Sequence, residues 1–168
     1  MEGSEIHARI GKVGDEPKRV VYDRLLQQLE AVLPGAGDPV AVMASVASLL
    51  HEALPYASWA GFYRVVAPRL LRVGPYQGPL GCLEIPFARG VCGAAARTGE
   101  TQLVADVNDF PGHIACDADA RSELVVAVRG RDGQLAAVLD LDSRQPSAFD
   151  DDDRTGVEAI ARLLERYL

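Results

Sequence analysis

The apolar residues of this chain change their period at Pro55, and that switch limits the architectures open to it. Before Pro55 the spacing is of threes and fours, and after it of twos, so a helical stretch gives way to strands. Pro17 opens a helical pattern carrying Val20, Val21, Leu25, Leu29, Val32 and Leu33, and Pro34-Gly35 stops it. Asp38 reads as the cap of a second helix, with Pro39 in its first position and Val42, Val46, Leu49 and Leu50 on its apolar face. The pattern then predicts strands over 58–66, 70–73 and 83–87, a short helix over 90–98 and a strand over 101–105. Residues 106–121 form a polar loop of a length that usually carries function. Strands over 123–128 and 134–141 follow, joined by a turn at 130–133. A last helix starts at the aspartates of 150–153 and shows Val157, Ile160, Leu163, Leu164 and Tyr167 on one face. Acids in a first turn suit the helix dipole, so that run calls for no metal. The order predicts an α+β domain: an antiparallel sheet with helices packed on one face and loops closing the other.

The chain has 168 residues, which fits one domain over 17–168 behind a flexible segment over 1–16. It holds no apolar run of bilayer-spanning length and no apolar signal core near its start, so a cytoplasmic location is expected. A formal charge of −7 with no local stripe of Lys and Arg argues against nucleic acid and anionic membranes as partners. Lys12 and Lys18 are the only lysines, which disfavours Schiff-base chemistry.

All three cysteines fall in the Gly- and acid-rich stretch between Gly78 and Glu123. Cys82, Cys92 and Cys116 each stand beside a glycine or an aspartate (Gly81, Gly93, Asp117), whereas a core thiol usually sits in an apolar run. An odd count argues against a structural disulfide framework. Thiols that a fold could gather suggest one attacking sulfur and one or two that resolve it. A zinc site of three cysteines with His113 is disfavoured, because no paired C-x-x-C knuckle is present. Gly90 and Gly93 before a helix are a weak phosphate-loop signal, since GVCGAAA offers no lysine.

Alternation sorts the other unusual residues. Leu135, Ala137, Leu139 and Leu141 face the helical layer, leaving Ala136, Val138, Asp140 and Asp142 opposite. Leu124, Val126 and Val128 likewise leave Glu123, Val125 and Ala127 opposite, and Trp59, Gly61 and Tyr63 share a face. Paired carboxylates on an apolar strand are costly unless they hold something cationic. A pocket floored by Trp59 and Tyr63 and edged by Glu123, Asp140 and Asp142 suits a small ammonium ligand with an apolar or sulfur-bearing arm. Plainer roles compete: Trp59 as core, Asp142 as a turn cap, His113 as loop packing.

Six segments carry a resemblance: WAGFY (59–63), GPYQG (74–78), IPFARGVCG (85–93), DVNDFPGHIACDA (106–118), SELVV (122–126) and VLDLDS (138–143). They resemble the free methionine-(R)-sulfoxide reductases, which are single GAF-domain enzymes. The likeness runs from about residue 25 to the end, departing at Ala127, where the family often carries proline, and at Asp119-Ala120-Arg121. It implies that Cys116 attacks the sulfoxide sulfur and that Glu123 supplies the proton the departing oxygen needs. Asp140 and Asp142 would then orient the substrate and hold its ammonium, while Trp59 and Tyr63 enclose the S-methyl group. Cys92 or Cys82 would condense with the Cys116 sulfenic acid, and a thioredoxin-type reductant would reopen the disulfide. No metal or organic cofactor is implied, and a homodimer is the family expectation. The alternative is a GAF module that only binds a ligand or senses redox state, beside which an output domain would be expected.

Overall fold

The computed structural model describes residues 12–168. Strand β1 (Lys12–Val13) pairs with β2 (Glu16–Pro17) in a small antiparallel ladder. Of the flexible segment expected over 1–16, Lys12, Val13 and Glu16 are paired in this ladder around a turn at Gly14-Asp15, and residues 1–11 lie outside the described residues.

Helix α1 (Lys18–Val32) buries Val21, Tyr22, Leu25 and Leu29, while Val20 and Val32 are exposed. Val20 stands about 140° round the helix from Leu25, so the face carries Tyr22 in its place. Helix α2 (Pro39–Ala53) opens as read: the Asp38 carboxylate accepts from the backbone N–H groups of Val40 at 2.7 Å and Ala41 at 3.1 Å. Val42, Met43, Val46, Ala47 and Leu50 are its buried residues.

A six-stranded antiparallel sheet follows, made of β3 (Trp59–Ala67), β4 (Leu70–Gln77), β5 (Glu84–Pro86), β6 (Gln102–Val104), β7 (Ser122–Arg129) and β8 (Leu135–Ser143). Its spatial order is β5-β4-β3-β8-β7-β6, so the last strand in sequence lies between the first long one and β7. Strand β4 runs on through Gly74 and Pro75, beyond the strand expected over 70–73. Those two residues oppose Phe62 alone in a bulge, between the pairs Gly61–Tyr76 and Tyr63–Val73. A proline without an N–H is tolerated at such a place.

One face of the sheet packs Ala60, Phe62, Leu124, Val126, Leu139 and Leu141 against α1, α2 and α4 (Asp151–Leu164). The opposite face is covered by more than loops. Helix α3 (Gly90–Thr98) lies there, and its Val91, Cys92, Ala95 and Ala96 pack with Trp59, Tyr63, Val125 and Val138. Leu135 also joins this second cluster, contrary to its expected face, because a register irregularity between Val128 and Arg129 interrupts the alternation.

The aspartate run starts α4 with a capping box between Asp150 and Asp153. Asp153 is also fully buried, which the run alone did not suggest. It receives the Lys18 ammonium on one oxygen and, on the other, the hydroxyls of Tyr22 at 2.9 Å and Tyr56 at 2.6 Å. Gly156 permits this approach, since a Cβ there would lie 2.2 Å from the Tyr22 ring.

Candidate active site

Antiparallel register sets the site. Across β3, β8 and β7 one row reads Trp59, Asp142, Glu123, and the next reads Gly61, Asp140, Val125. All point away from the helical layer, so period-2 alternation on β8 stacks two carboxylates and β7 adds a third beside them. Gly61 keeps the aromatic end of this face compact. A Cβ there would meet the Tyr76 Cβ at 2.2 Å and the Trp59 ring at 2.9 Å. Trp59 instead stacks between Tyr76 and Tyr63, with ring centroids 5.0 and 5.6 Å away.

A cavity opens over these rows, lined by Tyr63, Cys92, Cys116, Glu123, Asp140 and Asp142 together with His113 and Asp117 from the polar loop. The fold thus brings together the acid trio, Tyr63 and two of the three cysteines. Trp59 does not line the cavity; it backs Tyr63 and donates its indole N–H to the Pro79 carbonyl at 3.1 Å. His113, read as a packing residue, contributes to the lining, and burial pushes its pKa down. Asp117 was not singled out from the sequence, though its place next to Cys116 was a usable signal. One of its carboxylate oxygens is buried without a hydrogen bond, with an Arg144 nitrogen 3.7 Å from the carboxylate.

The cysteines divide into a pair and a single thiol. Cys82 and Cys116 form a disulfide, their Cα atoms 5.0 Å apart. Cys92, carried into the interior by α3, is a buried free thiol. Its Sγ lies 3.2 Å from Asp140 Oδ2 and 3.9 Å from Glu123 Oε1. Among the described residues, those three side chains also form a group that could hold a metal ion, their ligand atoms lying within 4.8 Å of one another. The zinc arrangement weighed earlier, with all three thiols, is incompatible with this bonded state. At the start of α3 the Gly90 N–H donates to the Gly112 carbonyl at 2.9 Å.

Burial dominates the electrostatics. It raises Glu123 well above the usual carboxylate range, and the charges of Asp140 and Asp142 raise it further. Asp142 is raised by burial and then by Asp140. Asp140 is pushed up to about 7 by burial, offset in part by the facing Cys92 and Glu123 groups. The Cys92 thiol is held protonated by burial and by Asp140. Among these groups Asp140 is thus the one poised to ionise near neutral pH; its Oδ1 is buried and accepts from no N–H or hydroxyl, with the Glu123 carboxyl facing it. A buried carboxylate lining a cavity gains from a further donor, and an ammonium supplies one.

The GAF domain family model matches residues 36–168. The free methionine-R-sulfoxide reductase of Escherichia coli is 38% identical over 90% of this chain and 90% of its own. The chain belongs to this GAF enzyme family. The free methionine-R-sulfoxide reductase of Saccharomyces cerevisiae is likewise 38% identical, over 89% of this chain and 86% of its own. The X-ray structure of the family's Neisseria meningitidis member, in complex with its substrate, superposes with a TM-score of 0.85 at 41% identity. It covers 95% of this chain and 93% of that one. The α+β architecture expected from the sequence is that of these relatives.

Proposed function

We propose that the chain reduces free methionine-(R)-sulfoxide to methionine, with Cys116 as nucleophile and Cys82 as the resolving thiol. The observation that carries this reading is the Cys82–Cys116 bond, with Cys116 lining one cavity together with the buried trio of Glu123, Asp140 and Asp142. Of the bonded pair, Cys116 lines the cavity and Cys82 does not, which favours Cys116 as the sulfur that meets substrate. Its thiolate attacks the sulfoxide sulfur while protonated Glu123 delivers a proton to the oxygen. Methionine leaves and Cys116 is left as a sulfenic acid. Cys82 then attacks that sulfur, the hydroxyl departs as water with a second proton, and the disulfide forms. Two thiols are oxidised to one disulfide as one sulfoxide is reduced.

Asp140 and Asp142 hold the substrate ammonium, and Tyr63, backed by Trp59, walls in the S-methyl group. Only the R epimer directs oxygen toward Glu123 with its methyl against the aromatic wall. Cys92, buried and protonated, serves the acid trio as a hydrogen-bond donor and is not the first resolving thiol. A thioredoxin-type dithiol returns the enzyme to its reduced form, as suits a cytoplasmic protein.

The test is a single turnover. Reduced protein given racemic free methionine sulfoxide should release one methionine per chain, consume the R epimer and acquire the Cys82–Cys116 bond by peptide mass analysis. Cys82→Ser should still release one methionine, whereas Cys116→Ser should release none. A full burst from Cys116→Ser would overturn the assignment of the nucleophile.

A further inference from the structure

The disulfide has two sides, and only one faces the cavity. Cys116 belongs to the cavity wall, and its partner Cys82 sits outside the lining in the segment 79–83. Both ends of that segment are pinned. The Trp59 indole N–H donates to the Pro79 carbonyl at 3.1 Å, and the Val73 N–H donates to the Leu83 carbonyl at 3.0 Å. Between these ties, Leu80 is 75% and Leu83 67% exposed, the most exposed large apolar side chains among the described residues. Neither belongs to an apolar cluster of the domain. Glu84, the charge next in sequence, is already engaged by the Arg72 guanidinium. Two leucines are thus held outward on either side of a half-buried sulfur, with the adjoining charge neutralised. Holding large apolar groups in water gains the fold nothing, and such patches mark surfaces that meet a partner.

We propose that residues 79–83 are the docking surface for a protein dithiol reductant, and that Cys82 Sγ is the sulfur it attacks. The inference rests on the redox cycle proposed above and adds where the reductant binds and which sulfur it meets. A thiolate of the reductant attacks Cys82 Sγ, a bond forms between the two proteins, and the Cys82–Cys116 bond breaks. The electron pair leaves on Cys116 as a thiolate, already in the cavity wall for the next substrate. The reductant's second thiol then attacks its own sulfur in the mixed disulfide, releasing Cys82, which takes up a proton. The reductant leaves oxidised by two electrons. A monothiol would leave Cys82 capped, so a dithiol fits the chemistry. An apolar surface around the partner's thiol fits the leucines.

The experiment compares wild type with the double variant Leu80→Ser, Leu83→Ser in two assays of methionine formation. One is driven by dithiothreitol, the other by thioredoxin with its reductase and NADPH. The dithiothreitol rate should be unchanged, while KM for thioredoxin should rise about tenfold or more. An unchanged KM, or a wild type that thioredoxin cannot recycle while dithiothreitol can, overturns the proposal. In parallel, oxidised wild type is mixed with a thioredoxin whose resolving cysteine is serine, and the trapped complex is digested. Linkage through Cys82 supports the proposal; linkage through Cys116, or no complex, refutes it. The trap reads disulfide exchange alone, so it decides even if methionine sulfoxide proves not to be the substrate. Failure of dithiothreitol to sustain methionine formation would instead count against the catalytic reading. Dissociation of a wild-type dimer by the double variant would assign the patch to a second copy and end the proposal.

Discussion

Glu123 shows what the site costs the fold. Its carboxyl is buried with two others, and its pKa is raised by burial first and by Asp140 and Asp142 second. The unfolded chain releases that proton as pH rises through about 4, whereas the folded protein keeps it. The folded state then binds more protons than the unfolded one, so stability falls with rising pH from about 4 until the folded group ionises. Glu123→Gln removes this dependence. Thermal unfolding at pH 7–8 should show the variant more stable by about 1 kcal/mol or more, roughly 2–4 °C, with the advantage vanishing near pH 4. The same change should slow single-turnover methionine release by about 10²–10⁴-fold, since an amide has the shape but no proton to give. A variant neither stabilised nor slowed would remove Glu123 from the role of acid.

Between elements, the tie that most shapes the helical layer joins the start of α1 to the start of α4. Both helix starts carry partial positive charge, and Lys18 adds a whole one. Asp153 and Asp150 answer it, with Lys18 Nζ 3.0 Å from Asp150 Oδ2 and its ammonium 4.6 Å above the Tyr56 ring. Removing one partner of a buried pair strands the other's charge. Lys18→Met should therefore cost about 3–5 kcal/mol in urea unfolding. The double variant with Asp153→Asn should recover part of that loss. A single-variant cost under about 1 kcal/mol would mean that water or a neighbour rescues the aspartate. Activity of the surviving folded protein should be little changed, because this cluster lies across the sheet from the cavity.

For the whole molecule, the bonded form is a closed one. The Cys82–Cys116 bond ties the 79–83 segment to the polar loop beside the cavity, which retains free space of about 20 Å³. That is room for about one water, far short of a methionine sulfoxide. Reduction must therefore be followed by an outward movement of at least one of these segments before substrate enters. Calorimetry should find free methionine or its sulfoxide binding the dithiothreitol-reduced protein, or Cys82→Ser, at least about tenfold more tightly than the oxidised protein. Equal affinities would mean that the bond does not close the site.

The sequence by itself determined what is local to the backbone. The α2 cap at Asp38, the break at Pro55 and the bounds of α3 followed from period and capping residues. Alternation on β7 and β8 put Glu123, Asp140 and Asp142 on one face before any strand order was known. Family-like motifs named the three cysteines and left Cys92 and Cys82 as alternatives. In the tertiary structure the cysteine bonded to Cys116 is Cys82, 34 residues away, while Cys92 is turned inward by α3 against Asp140. Tertiary structure also withdrew Trp59 from the cavity wall, laid α3 on the face expected to hold only loops, and buried Lys18. The physical reason is the same in each case. Hydrophobic period and caps reflect the geometry of a few consecutive residues, whereas which side chains meet depends on the path of irregular loops and on the insertion of β8 between β3 and β7, and no local spacing encodes either.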